Sequence, residues 1–346
     1  MEEKELVSII VLNFNAGKLL ENCIESITKI AYKNIEIIVV DNSSIDESQN
    51  ECKRKFPQIQ LIQNNENQGF CKGNNTGIKK ARGKYIIILN PDTIVEENLV
   101  SELVKSFKQN GEGLYQPKIL SLEDKRILQS TGNMIHIFGF GFAKDKGKED
   151  LIQNNKIQTV GYAAGTCLFS SKKIFEKLDF FDEFLFLYHD DLDIGWRAAQ
   201  IGIKSYMVPT TKIFHAESYS LKWSKKKFYW LERNRKYCLL THYSPDTLKK
   251  IQIYLHIIDF LVWGIYFVKG YLGAKIQAEL DIKKNMKFIK SKQLEIERQK
   301  IIPDGEIIKQ FPDSMEVPEN VSKGFQSKWF LKIVKNLSKR AKNNIE

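Results

Sequence analysis

Three apolar runs in the first ninety residues each end directly in a polar cluster, and that pattern limits the folds open to this chain. Leu6–Leu12, Ile35–Val40 and Tyr85–Leu89 are rich in Ile and Val, with a fourth run at Ile59–Ile62. Runs apolar on both faces belong in a parallel sheet that is covered on both sides. Between the first two, Leu19, Leu20, Cys23, Ile24, Ile27 and Ile30 recur at steps of three and four, the spacing of one buried helix face. Ser44-Ile-Asp-Glu47 resembles a capping box and predicts that a second helix opens there. The order is β-α-β-α-β, which makes the start of the chain an open α/β sheet.

The polar clusters are Asn13-Phe-Asn15, Asp41-Asn-Ser-Ser44 and Asn90-Pro-Asp92. Ligands of open parallel sheets sit beyond the carboxyl ends of the strands. Asn, Asp and Ser also make ordinary turns. Three such ends on one sheet edge point instead to a site for a polar ligand.

The remaining chain is less regular. Residues 112–156 are rich in Gly and Lys and predict loops around short strands. Val160–Ser170 predicts a buried strand, Asp190–Ile201 a short helix, and Ile203–Val208 a strand that Pro209 ends. From Trp223 onward, long helices are expected, separated by Pro245, Pro303, Pro312 and Pro318. We therefore expect an α/β domain over residues 1–240 and a basic helical extension over residues 241–346.

Charge follows the same division. The chain carries 53 Lys+Arg against 42 Asp+Glu, a net +11. Residues 221–346 hold 26 of the former and 13 of the latter, and residues 1–220 hold 27 and 29. The basic surplus thus belongs to the last third, and the first two thirds are slightly acidic. Nucleic-acid binding explains the charge but not the acidic strand ends, and no RRM, HTH or OB signature is present. The five cysteines form no CxxC pair, and the acidic start of the chain lacks the basic region of a signal peptide. Both features predict a reduced, cytoplasmic location.

Three segments carry candidate chemistry. Asn67-Gln-Gly-Phe-Cys-Lys-Gly-Asn-Asn-Thr-Gly77 has glycines that permit close backbone approach, and Asn67, Asn74 and Asn75 supply amides. It matches neither GxGxxG nor a P-loop, so it is expected to be a nucleotide-lining loop of another kind. Asp92 offers one hard oxygen ligand, and His215, after a later strand, is its best partner for a divalent cation. Tyr188-His-Asp-Asp-Leu-Asp193 places three carboxylates at the start of a helix. Its dipole stabilises one or two of them, and a cleft carboxylate there suits a general base.

Taken together and in order, these blocks resemble family 2 glycosyltransferases of the rhamnosyltransferase-like branch. The matching blocks are Val7–Asn15, Val39–Ser44, Asn67–Gly77, Leu89–Thr93, Phe181–Glu183 with Asp190–Asp193, and His215 with Ser218. The resemblance implies a GT-A fold, an α/β Rossmann-like nucleotide-diphospho-sugar transferase with a helical C-terminal extension. It implies inverting transfer of a sugar from a nucleotide diphosphate, dTDP-rhamnose or a UDP-sugar, to a hydroxyl of a glycan or lipid-linked acceptor. Asp41 would meet the base, Asn13, Asn15 and Asn42 would line the nucleotide, and Asn67, Gly69, Asn74 and Asn75 would lie beneath it. Asp92 and His215 would bind Mg²⁺ or Mn²⁺, and Gly165 and Thr166 would lie near the donor sugar. Asp191 would be the general base, beside Asp190 where the family has Glu. A non-catalytic nucleotide-sugar binding module and a basic nucleic-acid-binding protein are the alternatives. The intact Asp41, Asp92, Asp191 and His215 set argues against the first.

The basic third carries two membrane-like stretches. Ile251–Gly273 is the most apolar part of the chain, but Gln252, His256 and Asp259 interrupt it along one stripe. A helix lying in the membrane interface fits that pattern better than a spanning one. Lys328–Lys342 sets Trp329, Phe330, Ile333, Val334 and Leu337 on one face, flanked by Lys and Arg. That is the composition of a helix that binds anionic lipid. The expected location is peripheral, on the inner face of the cell membrane.

Overall fold

The computed structural model describes residues 5–151, 156–216, 224–316 and 325–345. They fall into two compact units. The first comprises Met1–Asn133, Lys144–Gly195 and Ile203–Ser220, and the second Met134–Ala143, Trp196–Gly202 and Leu221–Glu346.

The first unit opens with β1 (Val7–Asn13), α1 (Lys18–Thr28), β2 (Ile35–Asp41), α2 (Ser48–Lys55) and β3 (Gln60–Gln63). It continues through α3 (Gly69–Lys80), β4 (Tyr85–Leu89), β5 (Thr93–Val95), α4 (Leu99–Asn110), β6 (Gly113–Ser121) and β7 (Leu128–Ser130). A short pair that falls almost wholly in the second unit, β8 (Asn133–Ile135) and β9 (Gly141–Ala143), comes next in the chain. Then come β10 (Gln158–Val160), β11 (Cys167–Ser171), α5 (Lys172–Lys177), α6 (Asp190–Gln200) and β12 (Lys204–His215).

Ten of these strands form one sheet, in the order β10-β12-β6-β11-β4-β1-β2-β3, with β5 on β12 and β7 on β6. β4, β1, β2 and β3 are mutually parallel, as the apolar runs predict. β11 runs antiparallel to both β4 and β6, and β12 is parallel to β6. The carboxyl ends of β1, β2, β3, β4, β6 and β12 therefore share one edge. Chain order reverses between β1 and β4, where such sheets open a ligand crevice. Val7, Ile9, Val11, Leu20, Ile24, Ile27 and Val39 are buried in the core that α1 covers.

Five local expectations are corrected. α2 begins at Ser48, not at Ser44, and has no side-chain cap, because Ser44 is turned toward Asn13 and Asp41. The Asn67–Gly77 segment is helical from Gly69 onward. Its Gly and Asn composition hides the helix, but packing overrides propensity. Added β-carbons at Gly73 and Gly77 would lie 2.5 Å from Leu12 Cδ1 and from Ile10 Cγ2. α3 thus lies against β1 on its glycine face. Gly77→Ala should lower stability by about 1–3 kcal/mol through overpacking, seen as a drop in Tm. Val160–Ser170 is split into β10 and β11 by residues 161–166. Finally, β12 passes through Pro209, where its register on β6 shifts between Val208 and Lys212. A bulge is one of the few places in a sheet that accepts proline. Residues 113–121 also form a nine-residue buried strand, longer than their composition suggests.

The second unit is helical: α7 (Lys225–His242), α8 (Pro245–Val268), α9 (Leu272–Lys284), α10 (Met286–Gln299), α11 (Asp304–Lys309) and a last helix, Phe325–Asn343. Lys275 is fully buried, its Nζ 2.6 Å from carboxylate oxygens of Glu232, Asp259 and Glu279. Burial pushes the Glu232 carboxyl up, but the adjacent Arg235 and Lys275 outweigh it and hold it below its ordinary range. These three carboxylates lie close enough to ligate a metal. An ammonium already fills that position, so the cluster is a buried ion network rather than a cation site.

α8 carries apolar side chains on both its buried and its exposed faces. Ile251, Ile258, Val262 and Tyr266 are buried, while Ile253, Phe260, Phe267 and Val268 are exposed. Gln252, His256 and Asp259 lie along one side of this helix, the first two facing solvent and the half-buried Asp259 reaching Lys275. On the last helix Val334 and Ala341 are buried, and this helix packs against α8. Part of its expected lipid-facing surface is thus occupied.

Candidate active site

The site residues gather at the sheet edge where six strands end, all within the first unit. Asn13 and Asp41 are register partners at the ends of β1 and β2. Asn13 Nδ2 donates to Asp41 Oδ1 (2.7 Å), Ser48 Oγ (2.9 Å) and Ser44 Oγ (3.1 Å). Ser44 donates from Oγ to Asp41 Oδ1 (2.6 Å) and from its amide to Asp41 Oδ2 (2.9 Å). Asn15 stands at φ 53° and accepts from the Ile45 amide at 2.8 Å. Both Asn13 and Asp41 are buried. Their network fixes the polar turn after each strand.

Asn42 bridges to the next loop. Its Nδ2 donates to Gly69 O (2.9 Å) and Asn67 Oδ1 (3.4 Å), and its Oδ1 accepts from Asn64 (2.8 Å). Asn67 in turn accepts from the Gly69 amide at the start of α3. Asn74 Nδ2 donates to Phe70 O within that helix, and its buried Oδ1 has no partner.

α3 also anchors the loop that carries the carboxylates. Asn75 pairs with the backbone of Phe181, Nδ2 donating to its carbonyl (2.9 Å) and Oδ1 accepting from its amide (3.0 Å). Phe186 O accepts from the Phe70 amide at 2.6 Å. A β-carbon at Gly69 would lie 2.5 Å from Phe186 O, so only glycine lets the loop come this close. The loop is strained: Phe186, Tyr188 and His189 hold φ of 63°, 66° and 61°. Each such residue costs about 1–3 kcal/mol, and such strain clusters at functional sites.

This strain delivers Asp190 and Asp191 to the first turn of α6. Asp191 Oδ2 accepts from the Gly165 amide (3.1 Å) and Oδ1 from the Leu192 amide (2.8 Å). Asp190 is buried, and a β-carbon at Gly165 would come within 3.2 Å of its Oδ2. Burial, and then the charge of Asp191, pushes the Asp190 carboxyl well above the ordinary range. Burial also raises Asp191, against the hydrogen bonds from Gly165 and Leu192. Thr166 O accepts from the Asn90 amide at 3.0 Å, which ties this segment to the end of β4.

Asp92 and His215 also meet. β5 pairs with the end of β12, so Thr93 lies opposite His215. His215 Nε2 stands 3.2 Å from Asp92 Oδ2, and the buried Asp92 Oδ1 has no partner. Gln129, which sequence reasoning missed, fixes the imidazole. Its Nε2 donates to the His215 carbonyl (2.8 Å), so its Oε1, 2.7 Å from Nδ1, must accept. Nδ1 therefore carries a proton. Nε2 then faces a carboxylate oxygen, and the pair requires a cation between them, either a second proton or a metal. An orphan carboxylate oxygen, an imidazole nitrogen and a hydrogen-bonded partner behind the imidazole fit a divalent ion. Gln129 sits on the three-residue β7, and no sequence signal marks it. Ser218 lies outside the described residues.

Known proteins resemble this chain. A family model described as "Glycosyl transferase family 2" matches residues 8–179. The low-salt glycan biosynthesis hexosyltransferase Agl10 of Haloferax volcanii is 27% identical over 204 residues, 57% of this chain and 62% of that protein. The chain thus spans less than two thirds of that relative's length. The N-acetylglucosaminyl-diphospho-decaprenol L-rhamnosyltransferase of Mycobacterium tuberculosis is 19% identical over 239 residues, 62% of this chain and 78% of that protein. A crystal structure of GalNAc-T7 with UDP, GalNAc and Mn²⁺ superposes with TM-score 0.59 and 16% identity, over 74% of this chain and 52% of that one.

Proposed function

The chain belongs to glycosyl transferase family 2 through residues 8–179 and has the GT-A fold, and on that premise we propose that it is an inverting, metal-assisted enzyme. The donor is a nucleotide-diphosphate sugar and the acceptor a hydroxyl of a lipid-linked or cell-surface glycan. The carrying observation is the facing of Asp92 and His215 at the same sheet edge as Asp190 and Asp191. The relative named for an L-rhamnosyltransferase supports rhamnose as the donor sugar, and we take dTDP-rhamnose as first choice, ahead of UDP-sugars.

Each residue then has a task. Asp41, Asn13, Asn15 and Asn42 hold the nucleotide, and the start of α3, with Asn67, Gly69, Asn74 and Asn75, shapes the floor. Gly165 and Thr166 border the donor sugar. Asp92 and His215 hold Mg²⁺ or Mn²⁺. That ion, when bound, offsets the charge gathering on the diphosphate leaving group. Burial and the neighbouring charge disfavour ionisation of Asp190 more than of Asp191, so Asp191 is the readier of the pair to carry the negative charge. Asp191 accepts the proton of the acceptor hydroxyl as that oxygen attacks the face opposite the leaving group. One displacement inverts the sugar carbon.

The acidic first two thirds carry the chemistry. The basic surplus of residues 221–346 holds the enzyme to an anionic membrane on its cytoplasmic face. A screen of nucleotide-sugars for Mn²⁺- or Mg²⁺-dependent rises in Tm tests the donor reading, since a native-state ligand stabilises. No rise with any nucleotide-sugar in either metal would sink it. Gln129→Leu releases the imidazole of His215 and should raise the metal concentration for half-maximal stabilisation by about 10–100-fold. An unchanged metal titration would remove Gln129 from the site.

A further inference from the structure

The outward face of α8 is a stripe of apolar side chains. Ile253, Ile257, Phe260, Gly264 and Phe267 follow one another at steps of four and three, with Val268 beside them. Phe260 is 77% exposed, Phe267 70% and Val268 69%. On α9, Ile276 and Leu280 are also exposed, one helical turn apart. A soluble monomer rarely exposes so continuous an apolar surface without a partner for it.

We propose that this face of α8, with Ile276 and Leu280 of α9, inserts into the interface of an anionic lipid bilayer. A helix with apolar side chains on two opposite faces needs an apolar environment for each, although Gln252 and His256 lie exposed along one border. Behind α8 lies its own unit, where Ile251, Ile258, Val262 and Tyr266 are buried and the Tyr266 hydroxyl donates to Phe228 O. In front lies the lipid. α8 is long and apolar enough to cross a membrane, but its packed rear face and the Asp259–Lys275 ion pair tie it to the protein. The helix therefore lies along the surface, and the stripe from Ile253 to Val268 is about 22 Å long.

Charge selects the occupant. Exposed Lys249 and Lys269 bracket the stripe, and exposed Lys283 and Lys284 end α9. Cations around an apolar face suit anionic headgroups above hydrocarbon. A second copy of this chain docked on the same face would oppose lysine to lysine. Of the two membrane-like stretches, the insertion falls to α8 and not to the last helix, whose Val334 and Ala341 are already buried.

The inference rests on the proposed membrane location, and flotation of the full chain with vesicles separates the two. Phosphatidylcholine alone is compared with phosphatidylcholine mixed with phosphatidylglycerol. Wild type should float with the mixed vesicles, and Phe260→Glu/Phe267→Glu should lose at least about tenfold of that binding. Both side chains point outward, so circular dichroism and donor-induced stabilisation should match wild type. Flotation of the double variant at the wild-type level overturns the role of α8 and leaves the membrane location standing. Failure of wild type to float overturns both, and neither result touches sugar transfer. A wild-type dimer in light scattering that the double variant breaks, without vesicle binding, assigns the face to a second copy and also overturns the inference.

Discussion

Asp191→Asn should lower transfer by about 10²–10⁴-fold, the usual contribution of a positioned general base, while nucleotide-sugar binding is unchanged. The amide keeps the shape of the carboxylate, but it cannot take a proton. The pH profile supplies an independent check. Burial raises the Asp191 carboxyl above its ordinary value of 3.8, so the acid limb of the wild-type profile should lie above that of an ordinary Asp. Stability should move the other way. A carboxyl whose pKa is raised in the folded state favours folding below its unfolded pKa. That advantage is lost as pH rises through the window between the two values. At neutral pH the buried negative charge of Asp191 is a burden that Asp191→Asn relieves, so its Tm should exceed that of wild type, with the gain shrinking in acid. Parallel loss of donor binding and transfer would assign Asp191 a structural role.

Asp92→Asn should abolish the metal dependence of donor binding and reduce transfer by about a thousandfold, since a Lewis-acid ion contributes several kcal/mol at a leaving group. The present geometry gives the reason. Asp92 Oδ1 is a buried acceptor with no partner, and Oδ2 faces the imidazole of His215. Replacing one oxygen by NH₂ removes the charge and one ligand atom. Donor-induced stabilisation should then be the same with and without Mn²⁺, and chelation should bring wild type to the level of the variant. Wild-type transfer that survives chelation would remove the ion from the mechanism.

Much of this arrangement is written in local sequence. The parallel strands β1, β2 and β4 follow from unbroken Ile and Val runs, because a strand covered on both faces needs no polar alternation. The edge of the sheet could be recognised from Asn13, Asp41 and Asp92, which directly follow those runs. The helix over Gly69–Lys80 could not. Glycine and asparagine are poor helix formers, and the helix exists because those glycines let it approach β1. Pro209 reads as a strand end, but a bulge in the pairing with β6 absorbs it.

The chemistry divides in the same way. Sequence alone determined the parallel strands β1, β2 and β4, the polar residues that end them and the basic surplus of the last third. All of these depend on residue type and on spacings shorter than one element. Tertiary structure decided that His215 meets Asp92, that Gln129 orients it, and that α3 holds the strained loop before Asp190. It also decided that α8 keeps one apolar face outward while the last helix buries part of its own. These contacts join residues up to a hundred or more positions apart, and only strand order and helix packing bring such residues together. Local propensity carries no record of that closure.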